Sequence, residues 1–217
     1  KVVDDCNKTI LLNKSHCMAY IRRGDAYDSL GFTEKSVADY EKAITLRPSY
    51  AEIYNELGIV YFLRNEFSKS LEVFNRILQL KPDTQTSLEY RAGCKSKLLD
   101  YRGAIEDYDK LIQLNPKSFS HYYNRALQFD LLNEKKEACK SMKKAYSMAE
   151  KRLSTEFYAA HDYLMKNCRE NFSSKTLKVF DLSVELLNLY EERKLDLVIK
   201  KYDEMIAIAP DSASLYY

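Results

Sequence analysis

Apolar residues recur three and four positions apart along most of this chain. Tyr54, Leu57 and Tyr61 are such a set, and Ser70 and Phe74 continue it on a second stretch. That spacing predicts amphipathic helices, because residues three to four apart share one helix face. The stripes are interrupted in register. Pro48, Pro82 and Pro116 fall 34 residues apart, and other positions keep the same phase. They are Tyr20, Tyr54, Leu88 and Tyr122; Gly24, Gly58, Ala92 and Ala126; and Tyr40, Phe74, Tyr108 and Met142. A fixed period of this length is the mark of a stacked helix–turn–helix array. The fold is expected to be all-α, with a binding surface favoured over an active site. Four full units are expected at 17–50, 51–84, 85–118 and 119–152.

The unit 51–84 contains Tyr54-x-x-Leu57-Gly58-x-x-Tyr61, Ser70-x-x-x-Phe74 and Pro82. It resembles the tetratricopeptide repeat (TPR), with Tyr for the usual Trp and Ser for the usual Ala. The resemblance implies a solenoid, a right-handed superhelix of antiparallel helix pairs. Tyr54, Leu57 and Tyr61 are expected to pack on the partner helix of their own repeat. Gly58 is expected to let two helices approach, Phe74 to fill space beneath the next repeat, and Pro82 to end one helix and suit the first turn of the next. The first unit departs at Arg23 and the third at Lys95, where an aromatic is usual. Arg23, Arg91 and Arg125 occupy one repeat position, so that departure is itself repeated.

Residues 2–14 fit the second helix of an earlier, truncated repeat, so the array is taken as 1–152. Pro210 is out of phase. The break falls in 153–178, where Ser154 could N-cap a helix with Phe157, Ala160, His161, Leu164 and Cys168 on its apolar side. This segment reads as an inserted capping helix followed by a loop at Asn171–Lys175. Residues 179–217 read as a degenerate fifth repeat, carrying Leu182, Leu186, Leu189, Val198, Tyr202, Met205 and Pro210.

Composition narrows the partner classes. The net charge of +2 gives no general reason to expect nucleic acid, and no apolar run is long enough to span a membrane. Five cysteines form no CxxC pair. They read as inert buried thiols without a disulfide framework, which favours a reducing, cytoplasmic setting. A bacterial periplasmic location follows instead if an upstream signal has been removed. The three histidines are scattered, and phosphate-binding or nucleophile motifs do not occur. No catalytic residue, metal site or cofactor is expected. Lys135, Lys136, Lys140, Lys143 and Lys144 form one basic cluster, read mainly as a solvated helix face.

The TPR resemblance also implies a ligand groove lined by the first helix of each repeat. Its expected residues are Ile21, Asp25 and Asp28; Glu52, Asn55, Ile59 and Phe62; Glu89 and Lys97; and Tyr123, Leu127 and Asp130. Acids outnumber bases there, and Ile59, Phe62 and Tyr123 are not needed at the repeat core positions. The expected partner is therefore a protein or peptide segment that is apolar with basic residues. The clamp that holds acidic chaperone tails in this family is not matched. Arg22 stands at its arginine position, but Met18 replaces its lysine and Glu56 its asparagine.

The chain thus reads as a non-catalytic scaffold or adaptor, with association between copies through terminal repeats left open. Residues 20–82 also resemble bacterial periplasmic TPR lipoproteins that act as peptidase adaptors. The matching segments are Tyr27-Asp28-Ser29-Leu30-Gly31, Arg47-Pro48 and Asn55-x-Leu57-Gly58-Ile59. Two alternatives stand beside this reading. One is an RNA-binding array of the pentatricopeptide kind, which the period and the acidic groove oppose. The other is the regulatory domain of a larger enzyme.

Overall fold

The computed structural model describes residues 1–148, 155–171, 178, 181–182, 185, 189 and 192–208. The helices are α1 (Val2–Leu12), α2 (Cys17–Ser29), α3 (Thr33–Leu46), α4 (Ala51–Leu63), α5 (Phe67–Leu80), α6 (Gln85–Lys97), α7 (Tyr101–Leu114), α8 (Phe119–Leu131), α9 (Lys135–Met148), α10 (Thr155–Asn167) and α11 (Leu195–Ile208). The fold is an all-α TPR solenoid, and no strand occurs among the described residues.

One turn is used again and again inside the helix pairs. The amide of Phe32 donates to the Tyr27 carbonyl at 2.8 Å, Glu66 to Tyr61 at 2.9 Å, Asp100 to Lys95 at 2.8 Å and Glu134 to Phe129 at 2.9 Å. Lys194 donates to Leu189 in the same way at 2.9 Å. The residue before each donor has left-handed φ: Gly31 75°, Asn65 60°, Leu99 66°, Asn133 59° and Arg193 56°. This is the Schellman ending, which satisfies carbonyls orphaned at a helix C-terminus.

The prolines act between pairs. Each is preceded by a helix C-cap in one conformation: Arg47 at φ −141°, Lys81 at −140° and Asn115 at −136°. Proline disfavours helical geometry in the residue before it, so the second helix of each pair stops there. Pro82 itself lies between α5 and α6, not in the first turn of α6 as expected.

The chain divides into two units, Lys1–Lys117 and Ser118–Tyr217. In the first, each helix from α1 to α7 packs on its neighbours in sequence, and α4 also touches α6. Leu57 and Tyr61 join a cluster with Tyr40 and Ala43 of the preceding repeat, and Val73 of their own partner helix packs against the same cluster. Tyr54 clusters instead with Phe74 and Ile77. Phe74 is wholly buried, and its ring stacks on Tyr90 of α6 at 5.1 Å. A side chain of that size contributes about 1.5–3 kcal/mol by burial.

In the second unit α8 packs on α9 and α9 on α10. Ala160, His161, Leu164 and Cys168 are buried along α10 and its end, whereas Asp162, Lys166, Arg169 and Glu170 are exposed. Cys139 of α9 is disulfide-bonded to Cys168. This corrects the expectation of thiols throughout. The bond fastens α10 to α9, and the spacing of the five cysteines gave no cue to that pairing. Cys6, Cys17 and Cys94 are free and buried, and burial pushes their thiol pKa values up. Leu182, Val198 and Met205 form a further cluster with Leu189 against it. The expected cap at Ser154, the boundary at 152–153, most of the loop after Asn171, the side chains of Phe157 and Tyr202, and Leu186 and Pro210 lie outside the described residues.

Candidate functional site

Phase places the first residues of α2 and α4 side by side. Between them is a depression of about 280 Å³ lined by Met18, Ile21, Asp25, Tyr50, Glu52, Ile53 and Glu56. Its floor is apolar: Ile53 is buried, and Ile21 and Tyr50 pack against the core cluster. Among the described residues that line it are three carboxylates and no lysine or arginine, while Lys81 reaches Glu52 from outside the lining.

Two of these acids are held in place. The Tyr40 hydroxyl donates to Asp25 Oδ1 at 2.7 Å, and burial followed by this carboxylate pushes the phenol pKa well up. Lys81 at the end of α5 donates to Glu52 Oε1 at 2.7 Å and holds that carboxyl below its ordinary range. Both partners are more than half exposed, at 56 % and 55 %, so the pair is screened and adds little stability. Glu56 is exposed on the same face.

The expected groove residues divide by fate. Ile21, Asp25 and Glu52 come together in the depression, and Asp28 is exposed on the next turn of α2. Asn55 is half-buried. Ile59 and Phe62 belong to packing, contrary to expectation. Ile59 lies against the Phe74 cluster, and Phe62 meets Phe67 and Tyr90 edge-on at 5.5 and 5.3 Å. A Cβ on Gly93 would sit 3.1 Å from Phe62, so glycine there makes room for the ring. Glu89 and Lys97 are exposed on α6, and Glu89 helps burial push the Tyr108 pKa to about 12. In the second unit Tyr123 stacks on Phe119 at 5.3 Å. Leu127 and Asp130 are half-buried there. Tyr50, Ile53 and Glu56 were missed as lining residues. Glu56 was legible as the acid at the clamp's asparagine position.

Lys95, the aromatic's replacement, is explained by charge. Its ammonium lies 3.0 Å from the buried Asp107, which also takes Arg91. Among the described residues no group of three metal-ligating side chains converges, and no helix is long and apolar enough to cross a membrane.

Two family models match: a TPR repeat over residues 24–63 and a tetratricopeptide repeat over 51–84. The chain is 30 % identical over 94 residues to tetratricopeptide repeat protein 37 of Xenopus laevis, covering 43 % of this chain and 6 % of that protein. It is 21 % identical over 201 residues to anaphase-promoting complex subunit 3 of Schizosaccharomyces pombe, covering 87 % and 30 %. It is 28 % identical over 98 residues to Hsp70-Hsp90 organizing protein 3 of Arabidopsis thaliana, covering 45 % and 18 %. It thus spans less than a third of these relatives. Among solved structures, MamA matches with a TM-score of 0.64 and 21 % identity, over 69 % of this chain and 88 % of that one. YrrB, described as a TPR protein with an unusual peptide-binding site, matches with a TM-score of 0.62 and 19 % identity, over 95 % and 93 %. Repeats of this kind generally mediate protein–protein interaction, and neither matched model is a catalytic domain. By repeat phase, turn geometry and these matches, the chain belongs to the tetratricopeptide repeat family.

Proposed function

We propose that the chain is a non-catalytic interaction module whose α2–α4 depression takes an apolar side chain flanked by basic residues. The observation that carries this reading is the lining itself. Met18, Ile21, Tyr50 and Ile53 supply apolar contact, and Asp25, Glu52 and Glu56 surround them with negative charge. An exposed apolar surface rimmed by charge is the usual form of a contact site. The charge then sets association rate and selects against acidic segments. The two residues that break the acidic-tail clamp, Met18 and Glu56, both line the depression. That opposes a ligand of the acidic chaperone-tail kind, whatever the Hsp70-Hsp90 organizing protein binds.

The test is binding of labelled peptides that alternate leucine with lysine, or leucine with glutamate, to the parent and to Glu52→Lys/Glu56→Lys. Preference for the lysine peptide, lost by about tenfold or more in the variant, is the expected result. Equal affinity of parent and variant for the lysine peptide would discard the reading.

A further inference from the structure

A second face, on α9, carries the opposite charge. Lys136, Lys140, Lys143 and Lys144 surround a depression of about 380 Å³ together with Cys139 and Ser147. Helix stability accounts for only part of this. The dipole favours lysine in the last turn of a helix, but α9 carries none there, and Lys136 sits in the first turn, where the dipole opposes a cation. The neighbouring acid, Glu137, reaches Lys140 only at 3.7 Å, with the two side chains 50 % and 78 % exposed. So open a pair neutralises little.

We propose that this face of α9 docks an acidic peptide segment. Lys136, Lys140 and Lys144 follow one another at four-residue intervals, a rise of about 6 Å per step. Carboxylates on alternate residues of an extended peptide stand about 6.6 Å apart, so three of them meet the three ammonium groups in turn. Among the described residues no aromatic side chain lines the depression. Single-stranded nucleic acid draws much of its affinity from base stacking on aromatic rings, and this surface offers none. The aliphatic stems of the lysines form the walls, suited to the methylene groups of glutamate.

A fluorescein-labelled peptide of alternating glutamate and serine is the probe, read by anisotropy at low and at physiological salt. Affinity is expected to fall with salt. It is expected to fall by about tenfold or more in Lys136→Gln/Lys140→Gln/Lys144→Gln, with the circular dichroism melt unchanged. Glu52→Lys/Glu56→Lys is expected to leave this binding as it is. Three results would overturn the proposal. One is equal affinity of parent and triple variant for the peptide. A second is tighter binding of an oligouridylate of equal charge. The third is sedimentation showing self-association that both the triple variant and Glu52→Lys abolish, which would assign the face to a second copy of the chain.

Discussion

Arg23 on α2 forks onto Asp39 on α3, with Nε 2.7 Å from Oδ2 and Nη2 2.6 Å from Oδ1. Its remaining Nη1 donates to Asn7 on α1 at 2.6 Å, so one guanidinium joins three consecutive helices. Two repeats later Arg91 does the same with Asp107 and Asn75. In the repeat between, the two ion-pair positions hold Leu57 and Val73, which lie in one apolar cluster. In the fourth, Arg125 donates to the Ser141 hydroxyl at 3.2 Å.

The chain therefore contains both solutions to one packing problem, and this sets a first prediction. The Arg23 and Asp39 side chains are only 19 % and 6 % exposed. Asp39→Val alone strands a buried cation and should cost about 3–5 kcal/mol in denaturant unfolding. Arg23→Leu with Asp39→Val copies the second repeat and should lie within about 1 kcal/mol of the parent or above it. A double variant as unstable as the single one would show that the pair is not replaceable at this site.

Leu99 holds left-handed φ at 66° and is 71 % exposed. The same turn position carries Gly31, Asn65 and Asn133 elsewhere. A non-glycine residue with a carbon side chain is strained there by about 1–2 kcal/mol, and asparagine less so. Leu99→Asn should raise stability by about 0.5–1 kcal/mol, because little buried surface is lost. Asn65→Leu should lower it by a similar amount. Thermal midpoints moving in these opposite directions are the check.

Gly58 and Phe74 touch so closely that a Cβ on the glycine would lie 2.8 Å from the ring Cζ. Gly24 meets Tyr40 in the same way at 2.9 Å. Gly58→Ala adds about 1 kcal/mol of helix propensity. It also pushes a wholly buried ring at a cost of about 1–3 kcal/mol, so the net should be a loss of up to about 2 kcal/mol. The fourth repeat has buried Ala126 and Met142 at these positions. Phe74→Met should then be less harmful in the Gly58→Ala background than alone, and a double-mutant cycle with zero coupling would contradict the contact.

These relationships explain what was legible beforehand. Proline, glycine and the aromatic positions act over a few residues, so their spacing revealed helix pairs and phase directly. Arg23 and Asp39 act across helices. The repetition of arginine was visible, but its matching acid stands 16 residues away among many surface carboxylates. Phe62 looked available because repeat patterns do not show that Gly93 opens a seat for it. The acidic depression was legible only in part. Its acids follow from phase, whereas its floor depends on how Tyr50 and Ile53 enter α4.

The disulfide gives the last prediction. It joins cysteines 29 residues apart and holds the end of α10 to α9. Closing a loop of this length removes about 3–4 kcal/mol worth of unfolded-state freedom in the chain-entropy account. Reduction with dithiothreitol, or Cys139→Ser with Cys168→Ser, should therefore loosen α10 selectively. Hydrogen exchange of α10 amides should accelerate, while α3 to α5 keep their protection, since Cys6, Cys17 and Cys94 form no bond there. Denatured without reductant, the protein should titrate three thiols, and after reduction all five. Five thiols before reduction would show the bond to be absent. Three thiols with unchanged α10 exchange after reduction would show that packing of Ala160 and Leu164, and not the bond, keeps the helix in place.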